Sequence, residues 1–259
     1  MTERQQHFRR LPIPNGGELS GYVSHGAALG TAALLFVHGF ASVRTGDKAA
    51  ALEAMCVQRG WTFAAFEFRG HGASSGTLLD LRGATLLEDL DVIRAHLAEL
   101  GVRRLFLVGS SMGGFASAWF ALRHPEVVPA AAFIAPAFEF VRGSWNRLSE
   151  DERIAFKRTR RLPVVNFGRN DSREELDFAL VEQADQFPSD DLACRWTTPA
   201  LIFHSLPDDA VPYQDSLNLL VRTPCPAIEL RLFTGGDHRQ PTAVAVMAED
   251  VGRFFAPRW

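Results

Sequence analysis

Cysteine is scarce in this sequence. Only three occur, Cys56, Cys194 and Cys225, and they lie far apart. None forms a C-x-x-C pair, which argues against a disulfide framework or a cysteine-based metal site. No other ligand cluster stands out either. We therefore expect reduced thiols, no metal or cofactor, and a cytoplasmic protein.

Long apolar runs are missing as well. No stretch approaches the roughly 20 apolar residues that a membrane span requires, so we expect no membrane span. The basic N-terminal stretch lacks the apolar core of a secretory signal. Strand-like alternation also begins within about ten residues of Met1, which argues against a transit peptide.

A large excess of charge of one sign is absent too. The formal net charge is −3 over 259 residues, so electrostatics give no reason to expect a nucleic-acid partner. With 47% hydrophobic and 22% charged residues, the composition is typical of a globular protein. The length fits a single domain over residues 1–259. The composition carries no information about the oligomeric state.

What the sequence does contain is a regular alternation of strand-like and helix-like segments. Short apolar runs recur between amphipathic stretches, which predicts an α/β fold with a mostly parallel sheet and helices on both faces. A hairpin around "PNGG" comes first. The predicted strands are Phe8–Ile13, Glu18–Ser24, Ala33–Val37, Phe63–Phe68, Arg104–Val108, Ala130–Ile134, Ala200–His204 and Ile228–Phe233, and the predicted helices are Asp47–Arg59, Leu86–Leu100, Gly113–Arg123, Gln214–Arg222 and Ala243–Phe255.

The alternation stops after the sixth predicted strand. Residues 138–196 are charged and hold no clear buried strand, which predicts two or three helical pieces. They leave from the carboxyl end of a strand, where open sheets bind ligands. We interpret them as a helical cap inserted into the single domain. The alternative is a helical excursion without a role in substrate binding.

The stretch Gly109–Gly113 reads G-S-S-M-G between a predicted strand and a predicted helix. G-x-S-x-G in that context is typical of a nucleophile elbow, a strained turn that exposes its central serine. Glycine is favoured two positions to either side because larger side chains would collide there. This interpretation makes Ser111 the nucleophile, turns Ser110 away, and aims the Met112 amide at a developing oxyanion. The alternative is a structural glycine turn.

A nucleophilic serine needs a base, and the base needs an acid to orient it. After such an elbow the chain order is serine, then aspartate or glutamate, then histidine. His204 and His238 follow the elbow at a long interval, and His204 lies at the end of a strand. We therefore predict His238, in the turn "GGDH", as the base. The stretch "HSLPDDAVP" offers Asp208 and Asp209 as the acid, and Asp237 is a third candidate.

An oxyanion hole needs a second backbone amide, and the loop after the first core strand is in a position to supply it. That loop reads "VHGF", so we predict the Phe40 amide as the partner of the Met112 amide. His38 either holds this loop or is an ordinary buried histidine. Arg69 and His71, in "FRGHG", are interpreted as loop scaffolding.

The predicted cap contains aromatic and charged residues that could contact a substrate. Phe140, Trp145 and Phe156 are candidates for lining an acyl pocket, although amphipathic cap helices bury aromatic residues in any case. The cap arginines could favour anionic substrates, or they could form a solvated face balanced by nearby acids. These arginines are Arg153, Arg158, Arg160 and Arg161.

The motifs "VHGF", "FEFRGHGASSG", "VGSSMGG", "LPDDAVP" and "GGDH" together resemble the α/β-hydrolase superfamily in order and interval, from Val37 to His238. Within it, "HGFASVRTGDKAAALEAMCVQRGW" and "GGDHRQP" are similar to the group of the animal acyl-glucuronide esterase and S-depalmitoylase. The serine aminopeptidase and lysophospholipase groups are more weakly similar. The resemblance implies the α/β-hydrolase fold and favours Asp208 as the acid, because its spacing to the following "VP" is similar to the family's.

The resemblance also implies a reaction. It implies a carboxylesterase or thioesterase that cleaves a small-molecule ester or thioester through an acyl-enzyme, with a Ser-His-Asp triad. Related dehalogenases and epoxide hydrolases place aspartate where this chain has Ser111. A peptidase or amidase with the same triad is the alternative, with cap acids such as Glu139 and Glu150 anchoring a substrate amine. A ligand-binding protein without catalysis is the third hypothesis.

Overall fold

The computed structural model describes residues 5–14, 16–25, 29–164, 174–239 and 244–259. Ten strands are assigned in these ranges, eight of them in one sheet of order β1-β2-β4-β3-β5-β6-β9-β10. They are β1 (Gln5–Pro12), β2 (Glu18–His25), β3 (Ala32–Val37), β4 (Thr62–Phe66), β5 (Arg104–Ser110), β6 (Ala131–Ile134), β7 (Arg161–Val164), β8 (Glu174–Asp177), β9 (Ala200–Ser205) and β10 (Ile228–Phe233).

Nine α-helices are assigned in the same ranges, and short 3₁₀ turns accompany them. The helices are α1 (Asp47–Arg59), α2 (Gly83–Glu99), α3 (Met112–Arg123), α4 (Phe140–Asn146), α5 (Glu150–Thr159), α6 (Ala179–Glu182), α7 (Ser189–Arg195), α8 (Gln214–Arg222) and α9 (Val244–Phe255). None of them is long and apolar enough to cross a bilayer.

In the eight-stranded sheet β2 runs antiparallel to both of its neighbours, β1 and β4, and the other neighbouring strands are parallel. Every residue of β3, β4, β6 and β9 is buried, as expected of largely apolar strands covered on both faces. The parallel strands all end at the same edge of the sheet. The loops that carry the candidate site residues leave from that edge.

Two separate apolar cores lie on the two faces of the sheet. On one face, α1 and α9 pack through side chains that include Leu52, Met55 and Val251. On the other, α2, α3, α8 and the 138–196 segment share a second core. The α/β class and the helices on both faces were predicted from the alternation of segments, and they are confirmed.

The 138–196 segment differs from its prediction in one respect. Besides helices α4 to α7 it contains β7 and β8, an antiparallel ribbon that the sequence analysis did not predict. The ribbon is short and only partly buried, and an ion pair joins Arg161 to Asp177 across it. Its sequence therefore does not show the alternation of apolar and polar residues by which a core strand is recognised. Whether the segment serves as a cap stays a prediction.

Two details of the sequence analysis lie outside the described residues. Asn15 of the predicted hairpin turn is one, and Ala243, the predicted first residue of the last helix, is the other. The remaining predicted helices and strands of the core begin and end within a few residues of the observed ones.

Candidate active site

A sharp turn between β5 and α3 carries Ser111. β5 ends at Ser110, α3 begins at Met112, and Ser111 between them has φ 51° and ψ −116°, a conformation that non-glycine residues rarely adopt. Two hydrogen bonds hold the turn: the Ser111 amide donates to the Ile134 carbonyl at 3.0 Å, and its carbonyl accepts from the Ala137 amide at 3.1 Å. The neighbouring β6 therefore fixes the strained residue.

The glycines beside this turn are required by close backbone approach. A Cβ at Gly113 would overlap the carbonyl oxygens of Val37 and His38, and a Cβ at Gly109 would overlap the carbonyl of Gly113. Each neighbour is backbone, so it has little room to yield. The close backbone contacts expected from the G-x-S-x-G pattern are thus present. Through them the elbow packs directly against the end of β3.

The structure brings Ser111, His238 and Asp208 together. The His238 Nε2 atom lies 2.9 Å from the Ser111 Oγ, and its Nδ1 atom lies 2.8 Å from the Asp208 Oδ2. Among the other candidates, Asp209 is exposed, and the Oδ1 of Asp237 accepts the Arg239 amide at 2.8 Å. The imidazole is therefore placed to take a proton from the serine hydroxyl and to share its second proton with the carboxylate.

The Asp208 carboxylate is fully buried, yet it is well supplied with donors. Its Oδ1 accepts the amides of Ala210 and Val211 at 2.9 and 2.8 Å, and its Oδ2 faces His238 and His204. Burial alone would raise the pKa of Asp208, but hydrogen bonds from His204, His238 and Val211 outweigh it and leave that pKa well below its usual value. The carboxylate is therefore charged at neutral pH.

His204 is a neighbour of the triad that the sequence analysis treated only as a strand-end residue. Its side chain is fully buried, and its Nε2 lies 3.3 Å from the Asp208 Oδ2 and 3.0 Å from the Val211 carbonyl oxygen. Its Nδ1 lies 2.8 Å from the Ser216 Oγ. The contact could have been predicted from the spacing, because His204 and Asp208 are four residues apart across a tight turn at the end of β9.

The loop after β3 runs against the elbow. A Cβ on Gly39 would lie 3.2 Å from the Ser111 Cβ, so the residue before Phe40 lies directly beside the serine. Met112 is the first residue of α3, where an amide has no acceptor within the helix. These two positions are the ones predicted to supply the oxyanion hole, and that role stays a prediction.

His38 holds this loop in place. Its Nδ1 donates to the Gly39 carbonyl at 2.8 Å, and its Nε2 accepts the Phe68 amide at 3.0 Å. Burial, assisted by the nearby His71, lowers the pKa of His38 to about 3, so the ring stays neutral and keeps both bonds. The loop-holding interpretation of His38 agrees with this geometry.

The "RGHG" segment supports the same loop. Arg69 forms a buried ion pair with Asp89, 2.6 Å between Nη2 and Oδ1, and the His71 ring packs against the rings of His38 and Phe40. The scaffolding role expected of Arg69 and His71 agrees with these contacts.

The three aromatic candidates of the 138–196 segment lie in two places. Phe140 is buried beside the oxyanion loop, with its ring 6.1 Å from that of Phe40 and 6.0 Å from that of Phe115. Trp145 and Phe156 instead pack against Phe178 within the segment. Their role as pocket walls stays a prediction, and Phe140 is the one whose ring lies near Phe40 in the loop after β3.

Within the described ranges, no group of three or more His, Cys, Asp or Glu side chains is arranged to hold a metal ion. What the site offers is a hydroxyl, an imidazole and a buried carboxylate, beside the two positions predicted to supply backbone amides. This set of groups supports nucleophilic attack by oxygen with general-base assistance.

The chain is similar to several known proteins in sequence and in fold. The chain is 27% identical over 209 residues to the Mus musculus protein named palmitoyl-protein thioesterase ABHD10, mitochondrial, an alignment covering 81% of this chain and 69% of the mouse protein. A putative hydrolase from Agrobacterium vitis S4 superposes with a TM-score of 0.82 at 22% identity, over 97% of this chain and 99% of the other. Est1E from Butyrivibrio proteoclasticus with bound ferulic acid superposes with a TM-score of 0.82 at 19% identity, over 96% and 98%.

The two solved structures show that the fold is shared. A sequence profile of the α/β hydrolase fold matches residues 32–193, which is more than half of the chain and spans the oxyanion loop, the elbow and most of the 138–196 segment. The resemblance drawn from the motifs is confirmed, and the chain belongs to the α/β hydrolase fold family.

Proposed function

We propose that this protein is a serine hydrolase that cleaves carboxylic esters or thioesters through an acyl-enzyme. The observation that carries the proposal is the His238 imidazole between the Ser111 hydroxyl at 2.9 Å and the Asp208 carboxylate at 2.8 Å. The name of the mouse relative, a palmitoyl-protein thioesterase, supports an acyl ester or thioester as the substrate class.

In the first half-reaction His238 takes the Ser111 proton through Nε2, and the Ser111 Oγ attacks the acyl carbonyl carbon. The amides of Phe40 and Met112 donate to the oxygen that becomes negative, and losing one such donor costs about 3–4 kcal/mol in comparable enzymes. Asp208 stabilises the imidazolium. The tetrahedral intermediate then expels the alcohol or thiol, which receives the proton from His238.

The second half-reaction repeats these steps with water. His238 takes a proton from a water molecule, which attacks the acyl-serine carbonyl, and the second tetrahedral intermediate releases the carboxylic acid and regenerates the serine. The buried rings of Phe140 and Phe115 lie beside the oxyanion loop, so they favour an apolar acyl group. In this proposal the 138–196 segment is the cap over that group.

The test compares Ser111→Ala with Ser110→Ala on p-nitrophenyl acetate and butyrate. Ser111→Ala is expected to abolish turnover and labelling by a fluorophosphonate probe while circular dichroism is unchanged. Ser110→Ala is the matched control and should keep most activity, because Ser110 ends β5 and His238 bonds to its neighbour. Wild-type turnover by Ser111→Ala would overturn the assignment of the nucleophile.

A parallel panel separates the reaction classes. The rates on esters and thioesters of increasing acyl length are compared with the rates on amino-acid p-nitroanilides. A peptidase would hydrolyse the anilides faster than the esters. Faster turnover of the anilides would contradict esterase chemistry. Absence of fluorophosphonate labelling in the folded wild type would instead favour a ligand-binding protein.

A further inference from the structure

β10 forms one edge of the central sheet. In the described part of the chain its backbone pairs with β9 alone. The carbonyls of Ala227 and Phe233 accept amides from the β9 side, at 3.0 and 2.8 Å. Because alternate residues of a parallel strand bond to the same neighbour, Ile228, Leu230 and Leu232 direct their amides and carbonyls away from the sheet. β10 therefore presents a row of outward backbone donors and acceptors.

This edge lacks the features that usually keep open strands apart. Proteins protect such edges with lysine, proline or bulges, and the opposite edge strand, β1, carries Pro12 and two arginines. β10 contains neither proline nor lysine. Its two charged residues are already paired within the chain, Arg231 with Asp250 of α9 and with Glu229 of β10 itself.

An exposed apolar side chain lies on this edge. Leu232 is 42% exposed, on the face of the sheet where Ile228 and Leu230 pack against the core shared with α8. We call β10 the edge patch.

We propose that the edge patch binds the edge patch of a second copy of this chain, so that one sheet continues through a two-fold dimer. The two β10 strands run antiparallel with the axis at Leu230. Ile228 then lies opposite Leu232 of the second copy, and Leu230 lies opposite itself. These are the residues whose amides and carbonyls point outward, so three pairs form with two hydrogen bonds each.

Charge selects this register over its neighbours. With the axis at Leu230, Glu229 lies opposite Arg231 of the second copy on the α9 face, and the pair occurs twice. Moving the axis to Ile228 or Leu232 removes both pairs. On the α8 face the same register brings Leu and Ile side chains together.

The dimer leaves the candidate active site open, because the triad lies on loops at the carboxyl ends of the strands. Activity per subunit is therefore expected to be independent of association. Sedimentation velocity over a range of concentrations should show a dimer of the wild type. Leu232→Glu should raise the dimer Kd by about tenfold or more because it buries an unpaired charge, and Glu229→Arg should do the same because it places like charges opposite each other at Arg231 of the second copy.

Val57→Glu, at a residue 50% exposed on α1, is the matched control and should leave the Kd unchanged. Glu229→Arg changes a side chain that is 55% exposed and so keeps the test valid if Leu232→Glu fails to fold. A wild type that stays monomeric, or a dimer insensitive to both variants, would overturn the proposal.

The position of the axis can be tested separately. Opposite residues in a hydrogen-bonded antiparallel pair lie about 5.5 Å apart between Cα atoms, within the range of a disulfide. In a Cys194→Ser background, which removes the exposed cysteine, Leu230→Cys should cross-link two copies on mild oxidation. Val57→Cys should not. A dimer that forms without this cross-link uses another face.

A second and independent inference concerns His204, and it rests on the proposed function. We infer that His204 is a positioning residue for the triad acid. Its Nε2 lies between two acceptors, the Asp208 carboxylate and the Val211 carbonyl, so that atom carries a proton. The Ser216 hydroxyl at 2.8 Å then donates to Nδ1 and fixes the tautomer.

The result is a buried hydrogen-bonded chain from α8 to the nucleophile. Ser216 and His204 orient Asp208, and Asp208 orients His238 against Ser111. His204→Phe should lower kcat by about tenfold or more, because a hydrogen bond to a charged group is lost. The acid limb of the pH–kcat/KM profile should also move to higher pH, since a less solvated carboxylate holds the proton on His238 more strongly.

His204→Gln retains a nitrogen donor near the position of Nε2 and should recover much of kcat. Rates are expressed per site that reacts with fluorophosphonate, so that misfolded protein does not count. A His204→Phe variant with unchanged kcat and pH profile would overturn the inference. If Ser111→Ala also stays active, the proposed function fails instead.

Discussion

The Asp208 carboxylate has no exposed surface, yet it accepts hydrogen bonds from two backbone amides and faces two imidazoles. A buried carboxylate without such donors would take up a proton. At the scale of single residues, therefore, the site depends on how one charge is kept ionised beside His238. Its neighbour Asp209 is exposed and has no comparable environment.

The first prediction compares these two neighbours. Asp208→Asn should lower kcat by roughly 10³–10⁴-fold, because an amide nitrogen facing Nδ1 favours the wrong tautomer of His238. Asp209→Asn should stay within about twofold of the wild type, since such surface changes are nearly neutral. Steady-state kinetics on a p-nitrophenyl ester measure both. A larger loss in the Asp209 variant would reverse the assignment.

At this scale the sequence predicts the elbow and the base well, because both rest on local pattern and chain order. Ser111 was predicted from the turn that follows a buried strand, and His238 from its place in a loop after the last strand. The acid needed the resemblance, since the residues alone left Asp208, Asp209 and Asp237 open. The contact of His204 with Asp208 was missed because it depends on how the chain folds back after β9.

At the scale of elements, α8 lies beside the 138–196 segment with acidic groups facing each other. Burial and the nearby charge of Glu139 raise the pKa of Asp215 to about 6 from its usual 3.8. The folded protein therefore binds more protons than the unfolded chain between about pH 4 and pH 6. Stability contributed by this group falls as the pH rises through that interval.

The second prediction follows from this sign. Asp215→Asn should be more stable than the wild type at pH 7 by about 1 kcal/mol, a value reduced for partial exposure. The difference should vanish below about pH 4, where the native carboxyl is neutral as well. Urea denaturation at a series of pH values measures it. Asp209→Asn is the exposed control, and an equal gain from it would contradict the explanation.

Elements were predictable where one physical signal dominated. Wholly apolar runs such as β3 and β6 can be little other than buried strands, and α1 ends at Arg59, directly before Gly60, which has φ 68°. The β7–β8 ribbon was not predictable in this way. Its strands are four residues each and partly exposed, so pairing within the segment decides their conformation.

At the scale of the molecule, the 138–196 segment and the sheet share one core. Phe187 belongs to the segment and is 3% exposed, and its ring lies 5.2 Å from that of Phe115 and 5.3 Å from that of Trp119 on α3. Trp196 at the end of the segment is also fully buried, against Phe133 of β6. The segment should therefore unfold together with the sheet.

The third prediction tests that coupling. Phe187→Ala should lower the free energy of unfolding by about 3–5 kcal/mol, the range for an aromatic side chain removed from a core. The variant should still unfold in a single transition, at a lower urea concentration than the wild type. Far-ultraviolet circular dichroism and loss of ester hydrolysis should coincide along a urea series. Ile154→Ala, at a residue 55% exposed on α5, should change stability by less than about 0.5 kcal/mol.

A separate early transition that removes activity alone would show that the segment folds on its own. The sequence indicated that residues 138–196 were inserted after the sixth strand. It did not indicate how firmly they are attached, because burial of Phe187 and Trp196 arises from contacts between residues distant in the chain.

The backbone of Ser111 has a consequence for how this protein changes under mutation. Its φ of 51° and ψ of −116° suit glycine and cost other residues about 1–3 kcal/mol. Ser111→Gly should therefore melt at a higher temperature than the wild type while hydrolysing nothing. Selection for stability alone would replace this serine with glycine. A library of variants selected only for thermal resistance, with no substrate present, should be enriched in glycine at position 111. Such enrichment would mark a residue that lowers stability and is retained for turnover.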